Sequence, residues 1–298
     1  MTNSVNTTQS EISIELTINQ MNGCSWTKTV NTTNRLGDIK PAFIKDAGLP
    51  PTHRYKFYEL GDENQLHDDT LFYNNTVLFA LAYTLEPIPD NATLRILVKE
   101  LKDNNQTLCD ETIMKYGDIS NWNVSLITNM RCLFINDIHF NQPLNDWNVG
   151  NVINMYGMFW GAASFNQPLN GWDVSSVTNM GDMFSGASIF NHPLNNWDVN
   201  AVTTACNMFL LANTFNQSIN NWNVGNVTNM VRMFSRADNF NQPLNNWNVS
   251  NVTNMYGIFW GASSFNQPLN NWNVSNVINM DGMFTCASSF NQPLPGTL

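Results

Sequence analysis

The sequence has few charged residues, and its C-terminal part has almost no basic ones. Only 12% of the 298 residues are charged, about half of the usual share, and the formal net charge is −10. From Ile119 onward the chain contains no lysine, no glutamate and only three arginines. Proteins that bind nucleic acids need clustered Lys and Arg to neutralise phosphates, so we expect no nucleic-acid partner.

Long apolar runs and paired cysteines are also absent. No stretch approaches the ~20 apolar residues of a membrane span, and the N-terminus lacks the basic and then apolar segments of a secretory signal. We therefore expect no membrane insertion and an intracellular location. The five cysteines are odd in number and scattered, without a C-x-x-C pair, which favours free thiols in a reducing compartment over disulfide bonds.

No catalytic or cofactor-binding motif is recognisable. The four histidines show no metal-ligand spacing, and there is no glycine-rich phosphate loop. Asp173 and Asp198 occupy the same position in two neighbouring repeats, where paired carboxylates would bind a cation weakly, although a solvated face is the favoured interpretation. We expect a protein that is not an enzyme and that has no cofactor and no metal.

What the sequence does have is a 25-residue repeat, present in seven copies without an insertion. The second copy reads LNDWNVGNVINMYGMFWGAASF over residues 144–165. A fixed period is typical of a repeat solenoid, in which each copy forms one coil and its apolar side chains are buried only by the neighbouring coils. One tryptophan in each copy is a predicted core residue: Trp122, Trp147, Trp172, Trp197, Trp222, Trp247 and Trp272.

The spacing within one copy predicts the elements of a coil. Residues 144–152 have the L-x-x-L-x-L spacing of a leucine-rich repeat, with tryptophan in the middle position, and their alternation predicts a short strand of a parallel sheet. Apolar residues 155, 158, 159 and 162 have the spacing of a short helix. The expected fold class of residues 119–298 is therefore a leucine-rich-repeat-like solenoid of seven coils.

An asparagine precedes Gln-Pro in most copies and recurs in all of them. Identical amides that are stacked at the spacing of parallel strands can hydrogen-bond from coil to coil as a ladder. A structural ladder is favoured over a ligand site. Its predicted members are Asn141, Asn166, Asn191, Asn216, Asn241, Asn266 and Asn291.

The segment before the repeats has the pattern of a small α+β domain. Residues 12–18, 26–30, 55–60 and 76–85 have the composition of strands. Residues 38–46 predict a helix that ends at Gly48-Leu49-Pro50-Pro51, because proline cannot continue it. Strand, strand, helix, strand, strand is a β-grasp order. We expect a disordered tail over residues 1–10 and a β-grasp domain over residues 11–86.

This segment resembles the ubiquitin-like family in Leu49-Pro50-Pro51, in residues 65–71 and in its closing apolar strand. Conjugated members end in Gly-Gly, whereas this chain continues into Glu86-Pro87-Ile88-Pro89, so conjugation is not expected. The resemblance implies a docking module. Its candidate partner-binding residues are Tyr55 and Phe57, and the alternative interpretation places half of the side chains there in the core.

Residues 87–118 are predicted to form a linker and an N-terminal capping helix. Pro87–Asp90 is the linker, and Asp90 or Asn91 is a favourable N-cap. The apolar residues Leu94, Leu97, Val98 and Leu101 then lie on one helix face. A helix with a single apolar stripe next to the first repeat is expected to cover the open end of the array.

The repeat itself resembles a known family. The pattern N-W-x-V-x-N-V-x-N-M-x-x-M-F-x-x-A-x-x-F-N-Q-P-L is similar to the BspA-type surface-protein repeat of mycoplasma and Listeria lipoproteins, amoebae, algae and large DNA viruses of protists. The resemblance covers residues 91–298 and implies adhesion or protein–protein contact without catalytic activity. Because no export signal is recognisable, it favours an intracellular giant-virus or protist protein, in the host cytoplasm or the virion, over a bacterial adhesin.

Function in a repeat array usually resides in the positions that vary while the scaffold repeats. These positions follow Asn-Met and Met-Phe. In two copies they hold an aromatic pair, and exposed aromatic side chains are favoured interface anchors. The alternative interpretation is that the two tryptophans fold over the neighbouring coil and are structural. The candidate partner-binding residues of the array are Tyr156, Trp160, Tyr256, Trp260, Arg232 and Arg236.

Three functional hypotheses follow. The leading one is a non-enzymatic protein–protein interaction scaffold with a protein partner. The second is a structural protein of a particle or surface layer that self-associates, because no polar cap follows Pro293-Leu294-Pro295 and an apolar sheet edge would be exposed. The third is an adaptor that docks to ubiquitin-pathway proteins through the N-terminal domain.

Overall fold

The computed structural model describes residues 13–20, 25–31, 53–59, 77–84, 86–103, 108, 112 and 115–296. The chain divides into two compact units, Met1–Leu85 and Glu86–Leu298, and each is described by itself. The tail expected over residues 1–10 and the helix expected over 38–46 lie outside the described residues. No helix among the described residues is long and apolar enough to cross a membrane.

Four strands form one sheet in the first unit. They are β1 (Ser13–Gln20), β2 (Ser25–Asn31), β3 (His53–Glu59) and β4 (Val77–Thr84), and they overlap the four stretches with strand-like composition. The order in the sheet is β2-β1-β4-β3. The central pair, β1 and β4, is parallel, and both outer pairs are antiparallel. Tyr55 and Phe57 lie on β3, and their side chains are outside the described residues.

The second unit begins with helix α1 (Asn91–Asp103), which is the helix that the apolar spacing predicts. The N–H of Thr93 donates a 2.7 Å hydrogen bond to Asp90 Oδ1. This bond stabilises the carboxylate and lowers the pKa of Asp90. The apolar stripe of the helix is buried. Its members are Leu94, Leu97, Val98 and Leu101.

Side chains of α1 cover the backbone edge of the first coil. Asn91 Oδ1 accepts a hydrogen bond from the N–H of Thr128 at 3.1 Å, and Lys102 Nζ donates to the carbonyl of Ile135 at 3.2 Å. In the second coil, the N–H of Ile153 is satisfied instead by the carbonyl of Thr128. The helix therefore supplies the polar partners that a preceding coil provides elsewhere, which prevents unpaired backbone groups at this edge.

Seven coils follow, numbered 1 to 7 from the coil of Trp122 to the coil of Trp272. Each coil bonds to the next through its backbone. In coil 2, the N–H groups of residues 155, 157, 159 and 161 donate to carbonyl oxygens 24 residues later, at 2.7–3.0 Å. Isolated parallel bridges connect equivalent positions from Asn129 to Asn279. The bonds between coils thus run along the segment with helical spacing.

This arrangement differs from the expected strand and helix in each coil. The described residues of coils 1–7 contain turns and single bridges, and a 3-10 helix at Ile119–Asn121 leads into coil 1. Gly157 and Gly161 have positive φ angles of 59° and 71°, and a left-handed residue cannot continue a right-handed helix. The alternating bonds to the next coil take the place of helical bonds.

The core of the second unit is a set of stacked rings. Each of the seven repeat tryptophans is at most 4% exposed. Phenylalanines at equivalent positions, from Phe134 to Phe284, stack with centroid separations of 5.5–5.7 Å. From Trp147 to Trp272, the indole N–H of each repeat tryptophan donates to the carbonyl 28 residues earlier, at 2.7–3.0 Å. The tryptophans therefore both fill the core and connect neighbouring coils.

Candidate binding surface

Four positions in each coil change in residue type and in burial from coil to coil. In coil 2 they are residues 156, 157, 160 and 161, and their equivalents recur every 25 residues. We call this set the variable strip. The intervening residues Met158 and Phe159 are fully buried, so the core restricts their identity while the strip is free to vary.

Two of the four strip positions require a left-handed backbone. The first, at residue 157, and the second, at residue 161, have positive φ in every coil. Glycine adopts this conformation without steric cost, and its recurrence at these positions is the sequence signal that would have revealed them. The non-glycine occupants, with φ of 51–61°, are Cys132, Asn136, Asp182, Asn207, Leu211, Arg232, Arg236 and Cys286.

In coils 5 and 6 the strip forms an aromatic cage around an arginine. The Arg232 guanidinium lies 5.2 Å from the ring centroid of Tyr256 and 5.5 Å from that of Trp260. The two rings meet edge to face at 6.3 Å. A side chain at Gly257 would place its Cβ 3.4 Å from both Arg232 and Trp260, so the glycine leaves room for this packing. Cation–π contacts of this kind contribute about 0.5–1 kcal/mol each at exposed sites.

A cavity of about 250 Å³ lies beside this cage. Its lining comes from the variable strips of coils 4, 5 and 6, so three consecutive coils are needed to form it. Leu211 is 40% exposed and provides apolar surface, and Arg236 is exposed. The lining residues are Leu210, Leu211, Arg232, Ser235, Arg236 and Trp260.

Neither cavity arginine forms an ion pair within the described part of the chain. The described ion pairs are Lys99 with Asp103 and Lys115 with Glu86. The nearest carboxylate in sequence, that of Asp238, accepts a 2.7 Å hydrogen bond from Asn213. The cavity therefore carries positive charge in an otherwise acidic array.

The equivalent aromatic pair of coil 2 has different surroundings. Trp160 is 40% exposed, whereas Trp260 is half-buried. The preceding coil has Cys132 and Asn136 at the positions that Arg232 and Arg236 occupy. Here Arg131 lies over the ring of Tyr156 at 4.9 Å. Four of the six partner-binding residues predicted in the array lie together in coils 5 and 6: Arg232, Arg236, Tyr256 and Trp260. Tyr156 and Trp160 lie in coil 2, four coils from the second aromatic pair.

Tyr156 also contacts a buried acid that sequence reasoning did not single out. Asp182 is 5% exposed. Burial and a hydrogen bond to Asp182 raise the pKa of Tyr156 to about 12. Burial raises the pKa of Asp182, although its hydrogen bonds to Tyr156 and Asn207 oppose the shift. Burial also raises the pKa of the nearby Cys206 thiol, so this thiol is a poor nucleophile.

The two aspartates considered as a cation site each bond within their own turn. Asp173 Oδ1 accepts hydrogen bonds from the N–H and Oγ of Ser175, which lower the pKa of Asp173. Asp198 Oδ1 accepts a hydrogen bond from the N–H of Asn200. Within the described ranges, no three His, Cys, Asp or Glu side chains are grouped as metal ligands.

Comparison with known protein families assigns the repeats to one of them. A family model described as "Mycoplasma protein of unknown function, DUF285" matches residues 103–214 and 193–296. Together the two matches span about two thirds of the chain, including all seven coils. No curated protein matches the sequence.

Proposed function

The chain belongs to this family of unknown function, and on that premise we propose that its coils form a leucine-rich-repeat-like solenoid that acts as a non-enzymatic protein–protein interaction scaffold. The observation that carries the proposal is the contrast between a repeated core and a variable strip. The strip holds exposed and half-buried aromatic and arginine side chains, which are the residue types that most often anchor protein interfaces.

The finer resemblances support the same proposal. Similarity of the repeat to the BspA type implies adhesion or protein contact, and similarity of residues 11–86 to the ubiquitin-like family implies a second docking module. The strand order β2-β1-β4-β3 is compatible with a β-grasp. An intracellular location stays a prediction.

The test is capture of partners by the full chain, with matched variants of the strip. Trp160→Ser and Trp260→Ser introduce the residue that coils 3 and 5 carry at this position (Ser185 and Ser235), so the coil backbone is preserved. Thr285→Ser at the same position of coil 7 is the control. We expect one protein to be crosslinked by the wild type and the control, and at least tenfold less by one of the tryptophan variants.

The captured protein is then purified and titrated against all four chains by calorimetry. Equal affinity of all four chains for it would contradict the proposal that the exposed and half-buried tryptophans of the strip anchor the partner.

A second candidate function is self-assembly. Ile278 of coil 7 is 88% exposed and Met280 is 39% exposed, whereas the equivalent Met255 of coil 6 is fully buried. Exposed apolar surface of this kind favours association. Ile278→Thr, with the residue that coils 3 to 6 carry there, is expected to reduce the mass measured by light scattering. A strict monomer at high concentration would contradict self-assembly.

A further inference from the structure

We propose that the cavity formed by coils 4, 5 and 6 binds a segment of a partner protein in which an apolar side chain is flanked by carboxylates. The apolar side chain enters the cavity beside Leu211 and Trp260, and the carboxylates pair with Arg232 and Arg236. This inference rests on the proposed scaffold function and names the chemistry of its partner.

The distribution of charge favours an acidic partner at this cavity. From Ile119 onward the chain has seven aspartates, no glutamate, no lysine and three arginines. Two of those three arginines line one cavity, although they belong to an acidic array that repels acidic segments elsewhere. Guanidinium groups form paired hydrogen bonds with carboxylates. In the described residues neither group has a carboxylate partner of its own.

The size and lining of the cavity favour an apolar side chain. A volume of about 250 Å³ lies below the roughly 300–1,000 Å³ of sites for small organic ligands and cofactors. This is space for one or two large side chains rather than for a whole cofactor. Leu210, Leu211 and Trp260 supply apolar walls, so a purely polar anion would leave them unpaired with any apolar group. These walls favour a peptide segment over a free anion.

The two arginines of the cavity are positioned before a partner binds. The Arg232 guanidinium is already held between Tyr256 and Trp260 at 5.2 and 5.5 Å. A side chain at Gly261 would place its Cβ 3.2 Å from Arg236 Cγ, so this glycine lets the Arg236 stem lie against coil 6. Side chains that are held before binding lose less conformational entropy when the partner arrives.

The experiment is a titration of the full chain, labelled with 15N at its ten tryptophan indoles. The probe is a short peptide with a central leucine or phenylalanine between aspartates. Matched peptides replace the aspartates by asparagine, the aspartates by phosphoserine, or the central residue by glycine. The indole signals of Trp260 and Trp160 are assigned from Trp260→Ser and Trp160→Ser. We expect the acidic apolar peptide to shift the Trp260 signal and to leave the Trp160 signal in place.

The variants Arg232→Asn and Arg236→Asn isolate the two charges. Coils 4 and 1 carry Asn207 and Asn136 at these positions with φ of 55° and 53°, and asparagine tolerates the left-handed region well, so both variants are expected to fold. Each is expected to lower the affinity for the acidic peptide about tenfold, and the loss to shrink in high salt. Arg131→Asn, which removes the third arginine of the array, is the control and is expected to bind as the wild type does.

Several results would overturn the inference. They are equal binding of the asparagine peptide, equal shifts of the Trp160 and Trp260 signals, tighter binding of the phosphoserine peptide, or no shift of the Trp260 signal at millimolar peptide. Capture of a partner that depends on Trp160 alone would leave the scaffold function standing and remove this site from it.

Discussion

Asn141 Oδ1 accepts a hydrogen bond from the backbone N–H of Asn166, one coil later, at 2.9 Å. The same bond connects every following pair up to Asn291, at 2.9–3.0 Å. The glutamine after the asparagine often adds a bond, as Gln167 Nε2 does to Asn141 Oδ1 at 3.1 Å. The amides therefore pair with the backbone of the next coil and with its glutamine, and so connect coils at a place where the backbone ladder does not run.

Asn191→Ala is expected to weaken one of these connections. Asn191 Oδ1 accepts hydrogen bonds from the N–H of Asn216 and from Nε2 of Gln217, both at 3.0 Å. Because Asn191 is exposed, water replaces part of the loss, and we expect the free energy of unfolding in urea to fall by about 1 kcal/mol. Ser218→Ala, at an exposed neighbouring position, is the control and should change it by less than about 0.5 kcal/mol. Identical midpoints for both variants would refute a structural role of the amide.

Trp197→Phe is expected to lower the free energy of unfolding more than Asn191→Ala does. The Trp197 indole N–H donates to the carbonyl of Leu169 at 2.9 Å, and the ring is 3% exposed. The variant removes the indole donor from the Leu169 carbonyl, which still accepts a hydrogen bond from the N–H of Trp172 at 3.1 Å, and it leaves a void in the core. We therefore expect the free energy of unfolding in urea to fall by about 1–3 kcal/mol. Trp160→Phe, at a ring that is 40% exposed, should lose far less. A similar cost for both would show that the core tryptophan matters only by size.

Gly186→Ala tests the left-handed strip positions. Gly186 has a φ of 71°, and the nearest atoms to an added Cβ lie 3.5 Å away, so the methyl group fits and only the backbone conformation opposes it. We expect a loss of about 1–2 kcal/mol. Gly150→Ser is the control, because Gly150 has no positive φ and serine occupies its position in coil 1 as Ser125. A lower melting temperature for Gly150→Ser than for Gly186→Ala would contradict this expectation.

The raised pKa of Tyr156 predicts that the free energy of unfolding decreases at alkaline pH. Its pKa is raised from 10.0 to about 12 in the folded chain, so the folded state holds the proton more tightly than the unfolded state. The resulting stability is complete below pH ~10 and is lost as the pH rises toward ~12. Tyr156→Phe removes this dependence. Tyr256→Phe is the control, since Gly282 stands where Asp182 faces Tyr156. If the free energy of unfolding changed with pH equally in the two variants over this range, a contact between Tyr156 and Asp182 would be excluded.

Asp182→Asn tests the same contact from the acid side. Because the pKa of the buried Asp182 is raised, the folded state favours the protonated acid, and its contribution to stability decreases as the pH rises through the folded pKa. Asparagine carries no charge and is the residue at this position in coil 4 (Asn207). We expect the variant to gain stability over the wild type at neutral pH and to gain less at about pH 4. A gain that is independent of pH would contradict the raised pKa.

Local patterns in the sequence are sufficient for helix α1 and for the composition of the core. Asp90 as the N-cap and the apolar spacing from Leu94 to Leu101 specify a helix within one short segment, because caps and helical periodicity act over three or four residues. The 25-residue period likewise identifies which tryptophans and phenylalanines recur, and the structure buries them.

The spacing of apolar residues did not predict the hydrogen bonds between coils. Residues 155, 158, 159 and 162 have the spacing of a helix face, but spacing reports only which side chains turn inward. A helix and a turn-rich coil with left-handed residues at Gly157 and Gly161 bury the same set. The glycines distinguish the two, and they are replaced by other residues in several coils.

The sequence by itself determined the repeat, its buried residues and the scarcity of positive charge. Only the tertiary structure decided that Leu211, Arg236 and Trp260 line one cavity while Trp160 stands apart from the two arginines. The residues of the cavity are separated by one or two repeat lengths, and stacking of coils is what makes them neighbours. A residue's role in this chain therefore depends on the occupants of the same position one coil before and one coil after it.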